Sequence, residues 1–127
     1  MRGEAATLKS RQSYRDLIAW QKAREFAGSI YKLTENFPKR EMFGLTMQLR
    51  RAAVSSASNI AEGKARYSSK DFVHFLRTAR GSLAEAETQV ILSGDFGYVE
   101  ASQVEQTLAS ADELSRILAG LIASLQR

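Results

Sequence analysis

Apolar and small residues recur at alternating spacings of three and four through four successive segments, and that rhythm decides what the chain can fold into. In the first segment they fall at Trp20, Ala23, Ala27, Ile30, Thr34 and Phe37, with Phe26, Tyr31 and Leu33 widening the stripe and Pro38 ending it. The second runs from about Glu41–Gly44 to Lys64, with a seam of Leu45, Leu49, Ala52, Ser56, Asn59 and Gly63 flanked by Ala53 and Ile60. The third carries Phe72, Leu76, Ala79, Leu83, Ala86 and Val90, with Phe75 beside them. In the fourth, Val104, Ala111, Leu118 and Leu125 stand seven apart, with Leu114 and Leu121 between them and Leu108, Ile117 and Ile122 alongside. No strand-like alternation competes. Connections too short for parallel neighbours make this an all-α fold, an antiparallel up-down-up-down four-helix bundle.

Helix boundaries are read from capping-box spacings at Ser13/Asp16, Ser68/Asp71 and Ser102/Glu105, where hydroxyl and carboxylate satisfy free backbone N–H groups. Gly94 is expected to stop the third helix, and Asp95 to Val99 to turn tightly and return apolar side chains to the bundle. Residues 1–12 show no periodicity and read as a flexible basic arm; 13–127 form one domain. No internal repeat or Gly/Ser linker divides it.

Several function classes fall away on composition. Without cysteine there is no disulfide, thiolate metal site or cysteine nucleophile, and a single histidine removes most metal and triad chemistry. No apolar run reaches the roughly 18 to 20 residues of a membrane span, and no signal peptide is evident, so a cytoplasmic protein is expected. The overall charge of +4 conceals an asymmetry. Residues 1–80 hold 16 Lys/Arg against 7 Asp/Glu, and residues 81–127 hold 2 against 7, so +9 is followed by −5. Such a split suits an anionic partner, or self-association of basic on acidic surface, or merely a solvated exterior.

Catalytic and metal readings find little purchase. His74 stands among Lys70 and Arg77 on the outward side of the third helix, where it reads as a surface residue or phosphate contact. Glu85 and Glu87 splay around the helix, and no Glu-x-x-His pair offers a di-metal site, so neither metal nor cofactor is expected. Scattered glycines form no phosphate loop. A hydrolase built from Ser55, Glu62 and His74 would need an outward histidine to serve a seam serine. Buried Ser56 and Asn59, with Glu62, read instead as a structural polar network. The chain is read as no enzyme.

Two surfaces remain. Met47, Val54, Ala57 and Ala61 fall away from the second helix's seam, and Gly81 with Ala84 leaves low relief on the third. Together they are expected to form an oligomer interface, the plain alternative being small residues on a solvated face. Arg50, Arg51, Lys64, Arg66, Lys70, Arg77 and Arg80 are expected around one helix connection, with Tyr67 among them, as a nucleic-acid contact set suited to phosphates and base stacking. The alternative is that several of these arginines pair with Glu62, Glu85 or Glu87.

The stretches Tyr14-Arg15-Asp16-Leu17-Ile18-Ala19-Trp20-Gln21-Lys22-Ala23, Phe43-Gly44-Leu45-Thr46, Gln48-Leu49-Arg50-Arg51-Ala52-Ala53 and Ser58-Asn59-Ile60-Ala61-Glu62-Gly63 resemble the 23S rRNA intervening-sequence protein family. So do residues 81–89 and the turn through Gly97-Tyr98, so the likeness spans about residues 14–99. The family is similar to the accessory protein of diversity-generating retroelements. The resemblance implies a homopentamer of four-helix bundles whose basic surface engages RNA or DNA and, in retroelement relatives, a reverse transcriptase, with no enzyme activity. Ala57 stands before Ser58 where the family commonly has a proline, removing the residue that would kink the second helix.

Overall fold

The computed structural model describes residues 13–127, and the expected arm at 1–12 lies outside them. Four helices make the fold: α1 (Ile18–Thr34), α2 (Leu45–Lys64), α3 (Ser69–Asp95) and α4 (Ala101–Leu125), with short 3-10 turns at Tyr14–Asp16 and Lys39–Glu41. Each packs on its neighbour in sequence, and α4 closes against α1. The order is up-down-up-down. Gln48 meets Gln89, Ser55 meets Ser82, and Gly63 meets Phe72 and Phe75, so numbers fall on α3 as they rise on α2.

The seams of α2 and α3 are buried largely as their periodicity demands, and Leu49, Leu76, Leu83, Leu114 and Leu118 are sealed from solvent. Burying each contributes about 1.5–3 kcal/mol, and these side chains form one continuous core. On α1 the expected Ala23, Phe26, Ile30 and Thr34 are buried, as is Phe37 just beyond the helix, while Ala19 joins them and Trp20 and Ala27 are only partly covered. Trp20 instead meets Tyr14 edge to face at 5.2 Å, which covers the entrance of the bundle.

Three boundaries differ from expectation, each for a local reason. The Ser13 hydroxyl accepts from Arg15 N and caps a 3-10 turn, so α1 begins only at Ile18. Glu100 and Gln103, rather than Ser102 and Glu105, form the capping box of α4, with Glu100 N donating to Gln103 Oε1 at 2.9 Å. Gly94 does not end α3. The helix continues to Asp95, and Gly97, at φ 78°, makes the left-handed turn that only a residue without a side chain adopts freely. At Gly94 a Cβ would instead lie 2.9 Å from Val104 of α4. The Ser68 cap of α3 is present as expected, its hydroxyl accepting from Asp71 N at 3.1 Å.

Gly63 sets how closely α2 and α3 approach. A Cβ there would sit 2.7 Å from Phe75 Cβ and 2.9 Å from Phe72 Cδ1, so the two aromatic side chains occupy the space that any other residue would need. This contact fixes the geometry of the connection between α2 and α3.

Candidate nucleic-acid interface

The cationic residues expected in one cluster divide into two groups, because α2 spans the molecule. Fourteen residues at about 1.5 Å each separate Arg50 from Lys64, so about 20 Å of helix lies between them. Lys64, Arg66, Tyr67 and Lys70 gather at the α2–α3 connection, with Arg77 two turns further along α3 and Arg80 a turn beyond that. Arg66, Tyr67, Lys70, Arg77 and Arg80 are exposed, and Tyr67 is wholly in solvent. None of these cations lies within ion-pairing distance of a carboxylate among the described residues, where the ion pairs are Lys22 with Glu25 and Glu113, and Arg116 with Asp112. The aromatic residues of the close α2–α3 contact hold two of the cations in place. The Arg66 guanidinium carbon stands 4.8 Å from the Phe75 ring centre and the Lys64 ammonium 6.0 Å from that of Phe72.

Arg50 has a different position. Its Nε donates to Thr34 Oγ1 at 2.8 Å, and its guanidinium carbon lies 4.5 Å from the Tyr31 ring centre. It is a pin between α1 and α2, half-buried, at the opposite end of the molecule from the α2–α3 connection. Arg51 beside it is exposed. Both border a groove of about 520 Å³ whose apolar walls include Phe37, Pro38, Met42, Met47 and Val54.

The polar network takes a form not anticipated from the sequence. Ser56 is fully buried, but its hydroxyl donates to Ala53 O at 2.7 Å within its own helix. Glu62 is exposed on the outer face. The interhelical link is Ser55–Ser82, at 3.0 Å between hydroxyl oxygens, with Asn59 Nδ2 donating to Ser55 Oγ at 3.0 Å and to Ser55 O at 2.9 Å. Short side chains one turn apart can reach each other, whereas Glu62 at its angle on α2 points outward. The Ser55 hydroxyl is thus engaged by Ser82 and Asn59, while His74 lines a pocket between α3 and the end of α4. Ser55, Glu62 and His74 do not converge.

Of the expected oligomer face, Met47 is 39% and Val54 41% exposed, so both are open in the single chain. Ala57 and Ala61 are half-buried, Ala57 packing on the core. Gly81 and Ala84 are exposed on α3, and a Cβ at Gly81 would meet only open space. Among the described residues no group of three or more histidines or acids is placed to hold a metal ion, and no helix is long and apolar enough to cross a membrane.

The other end of the bundle carries a contact that the sequence did not reveal. Glu41 Oε1 accepts from Leu45 N at 3.1 Å, supplying the cap that Gly44 cannot, while Glu41 Oε2 accepts from the Tyr98 hydroxyl at 2.7 Å. The Tyr98 bond, and then the Leu45 N–H, hold the Glu41 carboxyl below the usual carboxylate range. Phe37 and Phe96 pack on Tyr98 with ring centres 5.5 and 5.8 Å away.

These features define a class: an up-and-down four-helix bundle with one cation-rich end. The chain belongs to the 23S rRNA-intervening sequence protein family, whose model matches residues 15–120. It is also similar to a solved structure from Bacteroides thetaiotaomicron, a protein of unknown function from the S23 ribosomal protein family. The two are 27% identical with a TM-score of 0.74, over 83% of this chain and 98% of that one. No curated protein matches the chain.

Proposed function

We propose that this protein is a non-enzymatic, homo-oligomeric accessory factor that binds RNA or DNA through its basic surface with little sequence preference. One observation carries the reading: Lys64, Arg66, Lys70 and Arg77 gather at and beyond a single connection, free of ion pairs among the described residues, around a tyrosine wholly in solvent. Guanidinium and ammonium groups in that state lose little on meeting phosphate, and the ring of Tyr67 can stack on any base. Membership of the intervening-sequence family agrees with a role beside nucleic acid. On the same reading the uncovered Met47 and Val54 meet another copy, five copies complete the assembly, and the cytoplasmic complex assists a reverse transcriptase. The second reading is a protein-interaction bundle without nucleic acid, favoured by the apolar groove at the Arg50 end.

Binding of labelled RNA and DNA across a salt series separates the two. The proposal expects affinity that falls linearly on log-log axes, by about 0.9 per neutralised phosphate on duplex and about 0.7 on single strand. Affinity indifferent to salt, or no binding at low salt, removes it. Light scattering tests the assembly, and a monomer at micromolar concentration removes the oligomer.

A further inference from the structure

Beside the cation-rich connection lies a second concavity with different chemistry. Ser69, Lys70, His74 and Arg77 of α3 line it, with Leu125 and Gln126 at the end of α4, around about 520 Å³ open to solvent. Lys70, His74 and Arg77 follow at spacings of four and three, so they share one face of α3 and project into the same space. No carboxylate side chain lines it among the described residues. His74 thereby has a place that catalysis does not explain: an imidazole between an ammonium and a guanidinium, with a hydroxyl and an amide on the wall and the apolar side chains of Val73 and Leu125 at its base.

We infer that this pocket receives the terminal phosphate of a nucleic-acid strand, an inference that rests on the nucleic-acid reading above. A phosphodiester inside a strand carries one charge and two free oxygens. A phosphomonoester carries about −1.5 to −2 at neutral pH and three free oxygens. Two fixed cations and an imidazole match the second better than the first, as three donor side chains for three oxygens. The volume also exceeds what phosphate alone would fill and falls in the range of small-ligand sites, so the sugar of a terminal nucleotide can enter with it. Tyr67 stands two residues before Ser69, fully exposed, where the terminal base would emerge.

The test uses the whole protein and three labelled oligonucleotides of one sequence, bearing phosphate at the 5′ end, at the 3′ end, or at neither. One or both phosphorylated strands are expected to bind about tenfold more tightly than the hydroxyl strand, a gain typical of charge-assisted bonds. His74→Gln is expected to abolish that preference while retaining the hydroxyl strand's binding within about threefold and an unchanged melting temperature, whereas Arg77→Gln is expected to abolish it and to weaken the hydroxyl strand as well. Equal affinity for all three strands overturns the pocket and leaves the general reading standing. Absence of binding to any strand overturns both. Competition by a phosphoserine peptide as effective as that of the phosphorylated strand overturns the nucleic-acid end as its occupant. Retention of the preference in both variants moves the site elsewhere and likewise overturns the assignment.

Discussion

The two ends of the bundle treat their polar side chains in opposite ways. At the end formed by the α1–α2 loop and the α3–α4 turn, Glu41 is bonded through both oxygens, Tyr98 is enclosed by Phe37 and Phe96, and Arg50 is tied to Thr34. At the α2–α3 connection, Lys70, Arg77 and Tyr67 face water. One end ties these side chains within the chain, although Lys39, Arg40 and Arg51 beside them are exposed. The other holds groups whose charge has no answer among the described carboxylates, which is where a polyanion gains the most and displaces the least.

The strongest way to break that contrast is to neutralise the open end. Changing Lys64, Arg66, Lys70 and Arg77 together to Gln is expected to weaken binding to a short single-stranded RNA about a hundredfold or more at low salt, with the salt slope reduced by several contacts. The melting temperature should change little, since most of these residues are exposed. The matching change at the closed end, Lys39→Gln with Arg40→Gln, is expected to cost less than about threefold. A loss from these two cations half as large, on a logarithmic scale, as that from the four would mean that net charge alone drives binding.

The scaffold beneath the open end is more sensitive than its surface. Gly63→Ala pushes a methyl group against Phe72 and Phe75, and loss of about 1–3 kcal/mol is expected in chemical denaturation, as for other overpacked cores. Because those rings also carry Lys64 and Arg66, the variant should bind nucleic acid more weakly even where it remains folded. Wild-type stability would show that α2 and α3 can part without cost.

Much of this architecture was legible in the chain. The four periodic stripes gave the bundle and its topology, and the seam of α3 was read residue by residue, since α3 is the helix whose apolar spacing is least interrupted. Small residues blurred only the first turn of α1, where Ala19 is buried and Trp20 half-covered, since alanines at 19, 23 and 27 are equivalent to a hydrophobic count. At the site, Tyr67, Lys70 and Arg77 were placed together by nearness in sequence. Arg50 and Arg51 were separable from them, since a single helix from about residue 44 to Lys64 already puts about 20 Å between Arg50 and Lys64, and grouping them by charge alone overlooked that distance. The Ser55–Ser82 link depends on the register of two helices across their turn, and folding the sequence about Ala65–Ser68 places Ser55 only to within about one helical turn. The Glu41–Tyr98 bond joins residues 57 apart through two loops, and no periodicity points to it.

That bond offers a sharper test of the closed end. The Glu41 carboxyl is held below its ordinary value of 4.5, first by the Tyr98 hydroxyl and then by the Leu45 N–H. A depressed folded value means that the stabilisation is fully present above the unfolded value and is lost as pH falls through the folded one. Tyr98→Phe should therefore lower the melting temperature modestly at pH 7, and the gap from wild type should narrow as the pH drops below about 4. Nucleic-acid affinity at the far end should stay as it was. A gap that persists unchanged into acid would assign the effect to ring packing alone.

Between the ends, Glu87 supplies the smallest and most local test. Burial first, and the charge of Asp112 on α4 second, raise its carboxyl above the ordinary 4.5. The folded state therefore holds this proton more tightly than the unfolded chain does. Its contribution to stability is present below the unfolded value and disappears as pH rises through the folded one, so at neutral pH two like charges face each other across α3 and α4. Glu87→Gln removes one of them. A small rise in melting temperature at pH 7 is expected, limited by solvent screening of a partly exposed group and absent at pH 3, where Glu87 is neutral. A fall at pH 7 would show that Glu87 makes a favourable contact which outweighs the repulsion, and that carboxylates here are answered within the fold as they are at the Glu41 end.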